Sequence, residues 1–207
     1  MKTKDHLALG HFLLNLSDNA GLQKHKRAFL LGCIEPDYNM ATYTRGLRNH
    51  PKFRGHNAEN SYRHITKCLS EFQSDGICSA WDYFTLGTMF HYIADAFTYP
   101  HNSFWKGSLL KHAAYEMELH TVFYKELGLR SVKRPITLLP SLTYYFSNTH
   151  DEYSAASHTM KVDCRYIIGV CERMFIETMR LADTSAAPEP IMKAVISYEN
   201  SYNHGLV

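Results

Sequence analysis

GTMFHYIADAFTYPH, from Gly87 to His101, is apolar on nearly every side, yet it carries His91, Asp95 and His101. The longer run from about Cys78 to Thr98 predicts a helix without a polar face, the pattern of a central helix enclosed by others. His91 and Asp95 are four apart and share one side of that helix. His101 follows Pro100, where the helix must stop. A buried, unpaired carboxylate costs several kcal/mol. Asp95 therefore needs a cation beside it, either an arginine from another helix or a bound metal.

The neighbouring segments repeat the helical period. Leu7, Leu9, Phe12, Leu13 and Leu16 form one broad stripe, and Ala58, Tyr62, Ile65, Leu69 and Phe72 recur at spacings of three and four. Further helices are predicted over about Gly107–Leu127, Asp151–Ala182 and Pro190–Tyr202, the second of them able to begin earlier, in SLTYYFSNTHDEY. No alternating run is bounded by hairpin turn residues. The expected fold is all-α, a multi-helix bundle with residues 1–207 as one domain. Two irregular stretches remain, Asn39–Gly55 and Gly128–Pro140, and loops of that length are often functional.

Composition narrows the classes. The chain has 207 residues, 45% hydrophobic and 20% charged, ordinary for a globular protein. A net charge of +2 gives no reason to expect a stable nucleic-acid complex or an anionic membrane partner. The 13 histidines outnumber the lysines, which makes a metal site worth seeking. Cys33, Cys68, Cys78, Cys164 and Cys171 form no C-x-x-C pair, so neither a thiolate site nor a disulfide framework is indicated. The start, MKTKDHLALGHFLL, lacks a small-residue cleavage site, and no apolar run is long enough to span a bilayer. The expected location is cytoplasmic, or secreted had a leader been removed.

The acidic and histidine side chains then fall into an order. Asp37 follows Pro36 and is expected on a turn. His56 precedes the amphipathic helix that Asn57 would cap. His91 with Asp95, and His112 with Glu116, are two i, i+4 pairs, with His101 between them. Imidazole and carboxylate are what zinc accepts where thiolates are absent. Each residue alone has an ordinary reading: a core histidine, a turn aspartate, an exposed helix pair. Their joint spacing favours a polymetal site. His11, His25, His64 and His120 keep the ordinary reading.

FLLGCIEPD, GHNAENSYRH, LGTMFHYIADAFTYPHNSF and HAAYEMELH together resemble the zinc-dependent phospholipase C family, from about His6 to Glu116. That family shares an all-helical fold with the fungal single-strand nucleases. The resemblance implies a cluster of two to three zinc ions. One would be held by Asp37, His56, His91 and Asp95, a second by His101, His112 and Glu116, and a third by Asp95 and His6. Secreted relatives complete the third site with an N-terminal tryptophan; here Met1 lies five positions before His6, and the resemblance implies that its amine would take that place.

The implied activity is hydrolysis of a phosphodiester or phospholipid, with Asp37 orienting the water or accepting its proton. The loop between Asp37 and His56 carries Arg45 and Arg48, expected to favour an anionic head group, and Tyr38 could wall the pocket. The nuclease alternative calls for a glycine-aspartate pair and a glutamine where this chain has IADAFTYPH. A non-catalytic metal-binding scaffold of the same fold is the other alternative. No membrane-docking β-sandwich domain is expected, and the oligomeric state is not legible.

Overall fold

The computed structural model describes residues 1–39, 58–130, 139 and 141–185. Among them are eight α-helices and no strand: α1 (Thr3–Leu14), α2 (Ala20–Lys24), α3 (Lys26–Tyr38), α4 (Ala58–Asp75), α5 (Ala80–Ala96), α6 (Leu109–Gly128), α7 (Leu142–Ala155) and α8 (Met160–Ser185), with a 3₁₀ turn over Tyr99–His101. No helix among these residues is long and apolar enough to cross a membrane. The stretch predicted as Pro190–Tyr202 lies outside the described residues.

α5 is the central helix that its apolar sequence predicts. Ser79 opens it: the hydroxyl accepts from the Asp82 N–H at 3.2 Å, and the Asp82 carboxylate accepts from the Ser79 N–H at 2.7 Å. This reciprocal cap satisfies donors that the first turn would leave without partners. From Leu86 to Ala96 all side chains but Tyr92 are buried. At the far end the Asn102 amide donates to the carbonyls of Ala96, at 3.1 Å, and Thr98, at 3.0 Å. That closes the helix directly before the turn that bears His101.

α3 packs against α5 at backbone distance. A Cβ on Gly32 would stand 2.0 Å from the Phe84 carbonyl oxygen, and one on Gly87 would stand 2.1 Å from that of Phe29. Only glycine permits this approach. Around the contact, Phe175 of α8 meets Phe29 of α3 at 5.7 Å and Phe90 of α5 at 5.4 Å. Such a packed aromatic buries a side chain worth roughly 1.5–3 kcal/mol. The first and last thirds of the chain thus close on the central helix.

Three expectations change. Asp37 is not on a turn: α3 continues through Pro36 to Tyr38, with the Asn39 N–H reaching the Glu35 carbonyl at 3.0 Å. A proline near a helix end forfeits one ladder bond without stopping the last turn. The helix expected over Asp151–Ala182 is two helices, divided at residues 156–159. Thr159 restarts the chain, its hydroxyl accepting from the Val162 N–H at 3.3 Å. Tyr62 is 40% exposed, while Ile65, Leu69 and Phe72 of the same stripe are buried.

Candidate metal centre

The centre is built on α5 and completed by its neighbours. His91 and Asp95 project from one side of α5, and the Asp95 carboxylate serves both its flanks. On one flank Oδ1 lies 2.8 Å from the Met1 amine and 3.3 Å from His6 Nε2. On the other, Oδ2 lies 3.3 Å from His91 Nε2 and 3.3 Å from His101 Nδ1. α1 supplies His6, whose ring stacks on that of His91 at 3.8 Å. α3, held close by the glycine contact, brings Asp37 Oδ1 to 3.8 Å from His91 Nε2.

α6 contributes the second group. Glu116 Oε1 lies 3.1 Å from His112 Nε2, 3.4 Å from His101 Nε2 and 3.1 Å from the Met1 amine. Two sets, His6 with His91 and Asp95, and His101 with His112 and Glu116, each bring three ligand atoms within 4.8 Å of one another. Asp95 and Glu116 meet at the amine and at His101, so the two sets form one continuous cluster.

His56, Arg45 and Arg48 lie outside the described residues. Tyr38 is the last residue of α3 and is 71% exposed, next in sequence to Asp37. The arginine considered as a partner for Asp95 is not found among the described residues. The described partners of Asp95 are amine and imidazole nitrogens.

Electrostatics follow from this crowding. Burial alone would raise the Asp95 pKa, but His101, the Met1 amine, His6 and His91 hold it well below the ordinary aspartate range. Glu116 is likewise lowered against its burial by the amine, His101 and His112. The Met1 amine, which burial would make less basic, is raised to about 11 by Asp95 and Glu116. His6 moves the other way, down to about 4, because burial and the adjoining His91 both oppose a second charge.

The donors fit a metal. Nδ1 of His6 and Oδ2 of Asp37 are buried with no hydrogen-bond partner among the described residues. Such groups cost about 1–3 kcal/mol each unless something binds them. Nitrogen and carboxylate oxygen without thiolate are zinc's alternative ligand set. His91 is also oriented as a ligand should be. Its Nδ1 lies 2.9 Å from the Cys33 carbonyl, which places the proton on Nδ1 and leaves Nε2 facing the carboxylates.

Several supporting contacts escaped the sequence reading. Asp5, fully buried, pairs with His120 across α1 and α6. His150 Nε2 meets the side-chain amide oxygen of Asn102 at 2.9 Å. Asp163 is buried in α8 under three donors. For Asp163 a signal existed: it interrupts the apolar stripe with Ile167, Val170 and Cys171, as Asp95 interrupts that of α5. The Cys33 contact uses a carbonyl and leaves no trace in residue types.

The sequence profile of the zinc-dependent phospholipase C family matches residues 5–180, well past Glu116, where the recognisable motifs end. No curated protein and no solved structure matches the chain. With that profile spanning most of its length, the chain belongs to the zinc-dependent phospholipase C family.

Proposed function

We propose that this chain is a metal-dependent phosphodiester hydrolase, phospholipase C-like, that works with two to three zinc ions. The observation that carries this reading is Asp95, a carboxylate 1% exposed whose two oxygens are shared by an amine and three imidazoles. One ion would be held by Asp37, His91 and Asp95, with His56 as the further ligand. A second would be held by His101, His112 and Glu116, and a third by His6, Asp95 and the Met1 amine. When bound, zinc supplies Lewis acidity toward a phosphoryl oxygen and lowers the pKa of water to roughly 7.

The protein's own groups divide the remaining work. Asp95 is closed to solvent and serves as a bridge. Glu116 is 19% exposed, but its Oε1 is occupied by His101, His112 and the amine. Asp37, 17% exposed and 3.8 Å from His91, would be the carboxylate that orients water and accepts its proton. Tyr38 would stand at the rim, and Arg45 and Arg48 would draw an anionic head group toward it. The substrate class is a phosphodiester or phospholipid.

Asp37→Asn is expected to lower kcat on bis-p-nitrophenyl phosphate roughly 10²–10⁴-fold while zinc content stays at the wild-type level. The check is turnover together with mass-spectrometric metal analysis of the same samples. A wild-type protein loaded with zinc but inert toward a panel of phosphodiesters and glycerophospholipids would make it a scaffold instead.

A further inference from the structure

We infer that Asp163 of α8 is a positioning residue for the His101–His112–Glu116 group, acting through the two backbone segments that supply those ligands. The inference rests on the metal-binding reading proposed above. Asp163 Oδ2 accepts from the Tyr99 N–H at 2.8 Å and from the Tyr115 hydroxyl at 2.8 Å, and Oδ1 accepts from the Tyr153 hydroxyl at 2.8 Å. Tyr99 opens the 3₁₀ turn that ends at His101. Tyr115 directly precedes Glu116 and lies three residues after His112. A single oxygen thus ties together the two segments from which all three ligands come.

The tether to α6 matters because little else anchors that part of the helix. Of its side chains only Leu119 and Phe123 are buried, both beyond the ligands, whereas Leu109 and Leu110 at its start are 86% and 84% exposed. The Tyr115 hydroxyl on Asp163 therefore sets the rotation of the ligand-bearing half, aided by the packing of its ring near Tyr99 and Trp105. The turn is fixed through its main chain, since the donor is the Tyr99 N–H. Partners of this outer kind tune metal affinity by about 10–100-fold when they orient a ligand.

The position requires an acceptor rather than a charge. An asparagine there would keep one oxygen for Tyr99 and Tyr115, and its amide would donate to the Tyr153 oxygen. Alanine would leave a buried backbone N–H without a partner. Geometry and charge are therefore separable by substitution.

The test uses the full chain, stripped of metal and titrated with zinc against a chromophoric chelator, with His112→Ala as the reference that deletes this site. Asp163→Ala and Tyr115→Phe should each weaken zinc about 10–100-fold at the site that His112→Ala removes, weaken binding through His91 and His6 far less, and find Asp163→Asn close to wild type. Tyr153→Phe, which touches only Oδ1, should leave both affinities unchanged. Equal weakening at both sites, no weakening at either, or an Asp163→Asn variant as poor as Asp163→Ala would overturn the inference. Should Asp163→Ala fail to fold, Tyr115→Phe alone decides it. A wild-type chain that binds no zinc removable by His112→Ala refutes the metal assignment itself, before any Asp163 variant is compared.

Discussion

Asp95 sets its two oxygens among four nitrogens of the described residues, and it lies in a helix that is apolar on nearly every side. Helical spacing alone placed it beside His91, because residues four apart share a face whatever surrounds them. The cost of an uncompensated buried carboxylate then pointed to a cation. The position of the amine and of His6 depends on how α1 crosses the bundle; only the family resemblance suggested it. Asp95→Asn would replace one oxygen with a donor facing imidazole nitrogens, and would remove the charge shared by both flanks. Zinc content of the purified variant should fall by at least one ion per chain, read by mass spectrometry; wild-type stoichiometry would sink the bridging role. His6 makes a separate prediction about acid. Its folded pKa is down to about 4, against 6.5 for a free imidazole. Above pH 6.5 both states leave it neutral and its contribution to stability is whole; as pH falls toward 4 the unfolded chain takes up a proton that the folded chain refuses. Urea midpoints of chelator-treated protein should drop between pH 7 and pH 4.5, and His6→Gln should flatten that drop. Equal slopes in the two proteins would rule it out.

At the scale of elements, the amphipathic stripes of α1 and α4 and the fully apolar α5 were legible because burial imposes a period on the sequence. The ends were harder to read. Pro36 suggested a stop, but a helix already in its last turn loses only one bond to proline. The division between α7 and α8 was hidden because Ser157, His158 and Thr159 are compatible with helix until Thr159 turns to cap the next one. The glycine contact between α3 and α5 was also invisible, since two isolated glycines do not announce that they face each other. Its consequence is measurable. In Gly87→Ala the new methyl would meet the Phe29 carbonyl oxygen at 2.1 Å and the Cys33 nitrogen at 2.8 Å, both main-chain atoms that cannot rotate away. Overpacking of this kind costs about 1–3 kcal/mol, enough to exceed the ~1 kcal/mol that alanine gains over glycine in a helix. The melting temperature should fall. Gly169→Ala in α8, whose added methyl meets nothing nearer than Arg130 at 3.9 Å, should instead stabilise by up to ~1 kcal/mol. Thermal melts of the two variants in parallel decide the matter; the reverse pair of signs would mean that the helices are not in contact through Gly87.

Across the whole molecule, the described residues proposed as ligands come from α1, α3, α5, the 3₁₀ turn and α6, and none of them from α7 or α8. The C-terminal helices offered no motif to read, because their part is played by single groups, the buried Asp163 and the half-buried His150, acting on the turn beside the centre. On the proposed reading, bound ions would form a junction between segments far apart in sequence. Without them, the imidazoles of His6, His91, His101 and His112, the carboxylates of Asp37, Asp95 and Glu116 and the Met1 amine must balance one another in a largely dry space. Nδ1 of His6 then lacks a hydrogen-bond partner among the described residues. A ligand that binds only the folded chain stabilises it in proportion to the logarithm of its concentration over Kd, about 2.7 kcal/mol at a hundredfold excess. For a chain of this size each kcal/mol moves the melting temperature by roughly 2–4 °C. Removing metal with a chelator should therefore lower Tm by roughly 5–11 °C, and zinc added back should restore it in a concentration-dependent manner. Because the sites share Asp95 and His101 lies between them, the recovery should rise over more than one equivalent of zinc rather than saturate at one. A melting temperature indifferent to both chelator and zinc would show that the cluster is held together by its own charges, and the ions would lose their place as the junction of the fold.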